Sequence, residues 1–162
     1  AETVRDDIIS SGGSGYVICS GAYKVYGGMY AKRSEADVVA SRQSNAFVET
    51  FGWKQSKIGF SSRAEATNVK NALSFYCGVA DKLVESASLI LKEEESSVAV
   101  KSYAAAARKK FSEYSASISD EKLSLLFERA AVSINTLAEC DDADFLSVLR
   151  YVAQDLVVLR GT

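Results

Sequence analysis

The sequence predicts an all-α protein: an antiparallel helical bundle of about five substantial helices, with a short N-terminal helix or tail in front of it. Three observations carry this expectation. The chain has no proline among its 162 residues, and proline is the residue that most firmly breaks a helix interior. Apolar positions recur at alternating intervals of three and four through most of the chain, the period of a helix that buries one face. The breaks between these segments are short, and compact domains join antiparallel helices by about 2–8 residues.

Residues 1–15 read as a flexible N-terminal segment. Residues 1–10 form at most a short helix, and Ser10-Ser11-Gly12-Gly13-Ser14-Gly15 is a break of high backbone entropy. Residues 16–162 read as one helical domain. In its first segment Tyr16, Cys19, Tyr23, Tyr26 and Tyr30 are spaced 3-4-3-4, which places four tyrosines and a thiol on one stripe of a helix. A strand over Tyr16-Val17-Ile18-Cys19 is the lesser alternative. Gly21, Gly27 and Gly28 accompany the stripe; each costs a helix about 1 kcal/mol relative to alanine, a cost that close backbone packing offsets.

Lys32-Arg33 suits a helix C-terminus, and Ser34-Glu35-Ala36-Asp37 resembles a capping box, so a second helix is expected from about Glu35 to Phe51. Gly52 to Phe60, with Trp53 in it, reads as an irregular connection covering one end of the bundle. The strongest helix is 63–93, where Ala66, Val69, Leu73, Tyr76, Ala80, Leu83, Ala87 and Ile90 form an unbroken stripe. Glu93-Glu94-Glu95 interrupts it. Val100, Tyr103, Ala107, Phe111, Tyr114 and Ile118 then mark a separate helix. Ser119 is the expected N-cap of the next, with Leu123, Phe127, Ala130, Ile134 and Leu137 facing inward. Phe145, Leu149, Val152, Leu156 and Leu159 mark the last.

The chemistry is bounded mainly by what is missing. There is no histidine, hence no usual general base near neutral pH and no imidazole metal ligand. Serines and Cys77 lack that partner for nucleophilic catalysis. Three isolated cysteines do not resemble a zinc site, and Glu139, Asp141, Asp142 and Asp144 lack the spacing of a calcium loop. These carboxylates read as solvated capping groups. Gly12-Gly13-Ser14-Gly15 lacks the spacing of a nucleotide-binding loop. The chain therefore reads as a non-enzyme with no catalytic residues, no cofactor and no metal.

Nineteen basic and 21 acidic side chains give a formal charge of −2, which offers no global field for nucleic acid. Lys101, Arg108, Lys109 and Lys110 make only a modest basic patch. Charged residues interrupt every apolar stretch before the roughly 20 residues that a bilayer requires, so no transmembrane segment is expected and the domain reads as soluble. Ala1-Glu2-Thr3 stands where an initiator methionine would, which suits a periplasmic or secreted protein; a cytoplasmic location is the alternative. Cys19 and Cys77 both fall within predicted helix bodies and are expected to form a disulfide, leaving Cys140 free or linking two chains; buried free thiols are the competing reading.

The function these features favour is that of a helical interaction protein, an exported inhibitor or immunity-type binder, acting on another protein or on a second copy of itself. Its expected contact residues are Tyr16, Tyr23, Tyr26, Tyr30 and Trp53, because tyrosine and tryptophan couple large apolar rings to polar groups that tolerate partial exposure. The alternative is a small-ligand or lipid carrier with an apolar cavity inside the bundle.

Overall fold

Four long helices carry the core of the molecule, seen in a computed structural model that describes residues 2–19, 21–51 and 59–159. In chain order the described residues form α1 (Glu2–Ser10), β1 (Tyr16–Cys19), β2 (Tyr23–Tyr26), α2 (Arg33–Ala40), α3 (Arg63–Leu91), α4 (Ser97–Ser117), α5 (Glu121–Glu139) and α6 (Phe145–Leu159). The protein is all-α in class, with a single two-stranded antiparallel sheet as its only β structure among these residues. No helix of the described residues is long and apolar enough to cross a membrane.

Helices α3 to α6 pack as an antiparallel bundle. Asn68 near the start of α3 meets Ser117 at the end of α4 at 3.2 Å. Ser115 meets Ser124 across the α4–α5 turn at 3.2 Å, and Arg108 reaches Glu139 at 4.0 Å further along the same pair. At the centre Tyr76, Phe111 and Phe127 are fully buried. Their ring centroids lie 5.5 Å (Tyr76 to Phe111), 5.9 Å (Tyr76 to Phe127) and 6.1 Å (Phe111 to Phe127) apart. Tilted and edge-on pairs of this kind add about 0.5–1.5 kcal/mol each beyond their buried area.

The ends of these helices are specified locally. Ser62 accepts from the Glu65 amide at 3.1 Å, while the Glu65 carboxylate accepts from the Ser61 amide and hydroxyl at 3.0 and 2.6 Å. Those two bonds hold the Glu65 carboxyl below its usual range. Ser96 caps α4, and the N-cap of α5 is Asp120, not Ser119: its carboxylate accepts from the Leu123 amide at 2.9 Å. The earlier end of α3 is set by a Schellman turn, in which Glu94 donates to Leu89 O at 2.9 Å and Glu93 to Ile90 O at 3.1 Å.

The N-terminal third departs from expectation. The tyrosine segment is a β-hairpin, with Tyr16 opposite Tyr26 and Cys19 opposite Tyr23. Its residues alternate: Tyr16 and Ile18 are half-buried, whereas Val17 and Cys19 are exposed. Val17, Ile18 and Val25 are β-branched and fit a pleated surface better than a helix, and period two outweighed the tyrosine spacing. The lesser strand alternative at 16–19 is the one realised. The predicted 35–51 helix runs only over Arg33–Ala40, begins at Lys32 without a side-chain cap, and buries no residue. With no face to pack, nothing offsets the entropy of extending it.

The segment 1–15 is not a free tail. It contains α1, and Gly13, Ser14 and Gly15 are buried. None of Cys19, Cys77 and Cys140 is in a disulfide. The expected Cys19–Cys77 bridge is not formed, because Cys19 projects from the exposed side of a hairpin strand while the Cys77 thiol turns back to Leu73 O within its own helix at 2.8 Å.

Candidate functional site

Residues from α1 to Phe51 form an arm whose 12–16 stretch lies on one flank of α6. That flank carries Leu146, Arg150, Tyr151, Gln154 and Asp155, spaced to share one side of the helix. The Arg150 guanidinium donates to Gly12 O. Ser14, 2% exposed, places its hydroxyl 2.7 Å from Tyr26 O and 3.0 Å from the side-chain amide of Gln154, which is itself fully buried. Tyr16 donates to Asp155 Oδ1 at 2.9 Å and packs its ring 5.0 Å from that of Tyr151.

Glycines 13 and 15 are required for this approach. A Cβ on Gly13 would fall 2.5 Å from the Ile8 side chain and 2.9 Å from Ile8 O. Gly15 has φ +58°, and a Cβ there would meet the Ile9 side chain at 2.5 Å. The run that resembled a flexible break is thus a tight crossing of α1 over the hairpin, closed by Gly13 N to Ile8 O at 2.8 Å and Ser14 N to Gly27 O at 2.9 Å.

The four tyrosines expected as contact residues, Tyr16, Tyr23, Tyr26 and Tyr30, are not brought together as one patch. Tyr26 turns inward, with its ring edge-on to Phe47 and Phe51 and its hydroxyl on Glu49 Oε2 at 2.6 Å. Glu49 also pairs with Lys24 at 3.1 Å. Burial, then the Glu49 bond, raises the Tyr26 hydroxyl above the usual tyrosine range. Burial and Asp155 do the same to Tyr16. The bond from Tyr26, then that from Lys24, lowers the Glu49 carboxyl.

Tyr30 is half-buried in the wall of a cavity of about 230 Å³ between the 29–35 segment, the last turns of α3 and Arg150. Tyr23 alone of the four tyrosines projects into solvent, 69% exposed, on the same hairpin face as Cys19 and Val17. Trp53 lies outside the described residues.

Elsewhere the charges are matched locally. Asp142 pairs with Lys101 at 2.6 Å, Glu139 with Arg108 at 4.0 Å and Glu113 with Lys110 at 2.8 Å, so the carboxylates at the α5–α6 junction and the basic patch on α4 partly neutralise each other. The residues missed from sequence are Ser14, Glu49, Arg150, Gln154 and Asp155. Gln154 alone left a signal there: an amide set between Ala153 and Leu156 on a buried helix face. Comparison with protein families, curated proteins and solved structures finds no match to this chain.

Proposed function

We propose that this chain is a non-enzymatic protein-binding domain that docks its partner on the outward face of the β-hairpin, with Tyr23 at the centre and Val17 beside it. One observation carries the reading. Tyr23 is 69% exposed and Val17 37% exposed on one face of the hairpin, while the hydroxyls of Tyr16 and Tyr26 are engaged inside the molecule. A large exposed ring on a short, cross-braced hairpin is a pre-organised anchor, and such tyrosines supply much of the energy of protein interfaces. An inhibitor that covers another protein's surface is one form of this activity, and self-association is another.

The carrier reading draws less support. Among the described residues, the cavity at the junction of arm and bundle, about 230 Å³, falls below the roughly 300–1,000 Å³ typical of ligand pockets, and aromatic rings fill the bundle centre. The test is affinity capture from the native source with the wild-type chain and with Tyr23→Ser, whose exposed position leaves the fold intact. A partner held by the wild type and weakened at least about tenfold by Tyr23→Ser, the scale of a truncated anchor, is the expected result. Light scattering on the same two proteins reads self-association. A partner retained equally by both proteins, with no difference in oligomeric state, would overturn the proposed face.

A further inference from the structure

We propose that the N-terminal arm is a strap latched to α6 by polar contacts, and that it detaches and unfolds as one cooperative unit while the α3–α6 bundle stays folded. Among the described residues the bundle core is built without the arm: every fully packed core side chain belongs to α3–α6 or to Ile118 at the end of α4, and the arm adds only the half-buried Met29 and Phe51 at its margin. The arm in turn has bonds of its own. Ser14 N reaches Gly27 O, Gly13 N reaches Ile8 O, and Tyr26 is enclosed by Phe47, Glu49 and Phe51.

Between the two, among the described residues, lie three polar contacts: Arg150 to Gly12 O, Tyr16 to Asp155, and Ser14 to Gln154. Opening exchanges each of them for bonds to water, so each holds the arm only modestly. The last is weak by construction. Gln154 is fully buried, its Nε2 has no partner, and the Ser14 hydroxyl, already on Tyr26 O, is the one polar group that meets its amide among the described residues. Whichever way that amide is turned, one end stays unpaired when the arm is closed and is hydrated when it opens. The apolar contacts of Met29, Phe51 and Tyr151 keep the closed form favoured, and the buried amide opposes them. Opening uncovers the α6 flank from Leu146 to Asp155. It also removes the 29–32 wall of the cavity.

The test is native-state hydrogen exchange on the full chain under conditions where exchange reports opening equilibria. The amides of Ser14 and of the paired hairpin residues are expected to exchange roughly a hundredfold faster than those of Val79 and Leu83 in the core of α3, as separate cooperative units do. Tyr16→Phe is expected to speed arm exchange about tenfold, whereas Ile134→Val, which weakens the bundle interior at a fully buried position of α5, is expected to speed exchange of the α3 amides several-fold and leave the arm amides unchanged. Gln154→Met, which removes the unpaired amide but keeps the apolar volume, is expected to slow arm exchange. Equal protection of arm and core, a parallel shift of both in Ile134→Val, or arm exchange that is unchanged or faster in Gln154→Met would each overturn the proposal.

Discussion

From the middle of α3, Tyr76 donates its hydroxyl to the main-chain carbonyl of Leu156 on α6 across 2.8 Å, and both residues are fully buried. The same ring packs on Phe111 and Phe127, so one side chain joins three neighbouring helices. Its two contributions separate in Tyr76→Phe, which keeps the ring and deletes the hydroxyl. The variant is expected to lose about 1–2 kcal/mol, the net value of one buried hydrogen bond with some desolvation. Urea denaturation reads this directly, and an unchanged midpoint would show that the hydroxyl contributes nothing.

Leu149→Ala is expected to destabilise by about 2–5 kcal/mol, because Leu149 is fully buried and the bundle collapses only partly around the vacated space. Leu73→Ala is expected to cost clearly less. The sequence stripe set both leucines in the core, yet Leu73 is only half-buried and Ala72, Tyr76, Val79 and Leu83 hold the α3 interior. Equal losses in the two variants would contradict this rotation of the buried face.

The difference between Leu73 and Leu149 illustrates how far the chain could be read without its structure. Helices α3 to α6 were legible because each repeats its apolar period over 15 residues or more, long enough for the helical period to stand clear of chance. The burial of a border residue depends on which neighbours arrive, and no local pattern records that. The hairpin was harder to read. Four-residue strands span two periods at most, and tyrosines at 16, 23 and 26 satisfy a helical spacing while pairing across a turn. The latch was not legible at all, since Ser14 and Gln154 meet across 140 residues of chain.

Glu93 closes the Schellman turn after α3 with φ +60°, a left-handed position that normally belongs to glycine. Its side chain strains the backbone there by about 1–2 kcal/mol, while glycine adds conformational entropy to the unfolded chain. Glu93→Gly is therefore expected to stabilise the protein by about 0.5–1 kcal/mol, seen as a raised urea midpoint with no change in slope. A lowered midpoint would show that the Glu93 side chain does more for the folded state than its backbone position costs.

The Tyr26–Glu49 contact makes the stability of the arm depend on pH at both ends of the range. The Glu49 carboxyl is lowered in the folded chain, by Tyr26 and then by Lys24. Its contribution is present above the unfolded value near 4.3 and is lost as the pH falls through the lower folded one. The Tyr26 hydroxyl is raised, by burial and then by Glu49, and Tyr16 is raised by burial and then by Asp155. Their contributions are present below about pH 10, the unfolded tyrosine value, and are lost as the pH rises beyond it. Protection of the arm amides, corrected for intrinsic exchange, is expected to be level between about pH 5 and 9 and to fall on either side. Glu49→Gln removes the acid-side loss that belongs to this contact. It leaves much of the alkaline loss, because burial of Tyr26 and the Tyr16–Asp155 pair remain. An acid limb unchanged in Glu49→Gln would place the titrating group elsewhere and remove Glu49 from the account of how the arm is held.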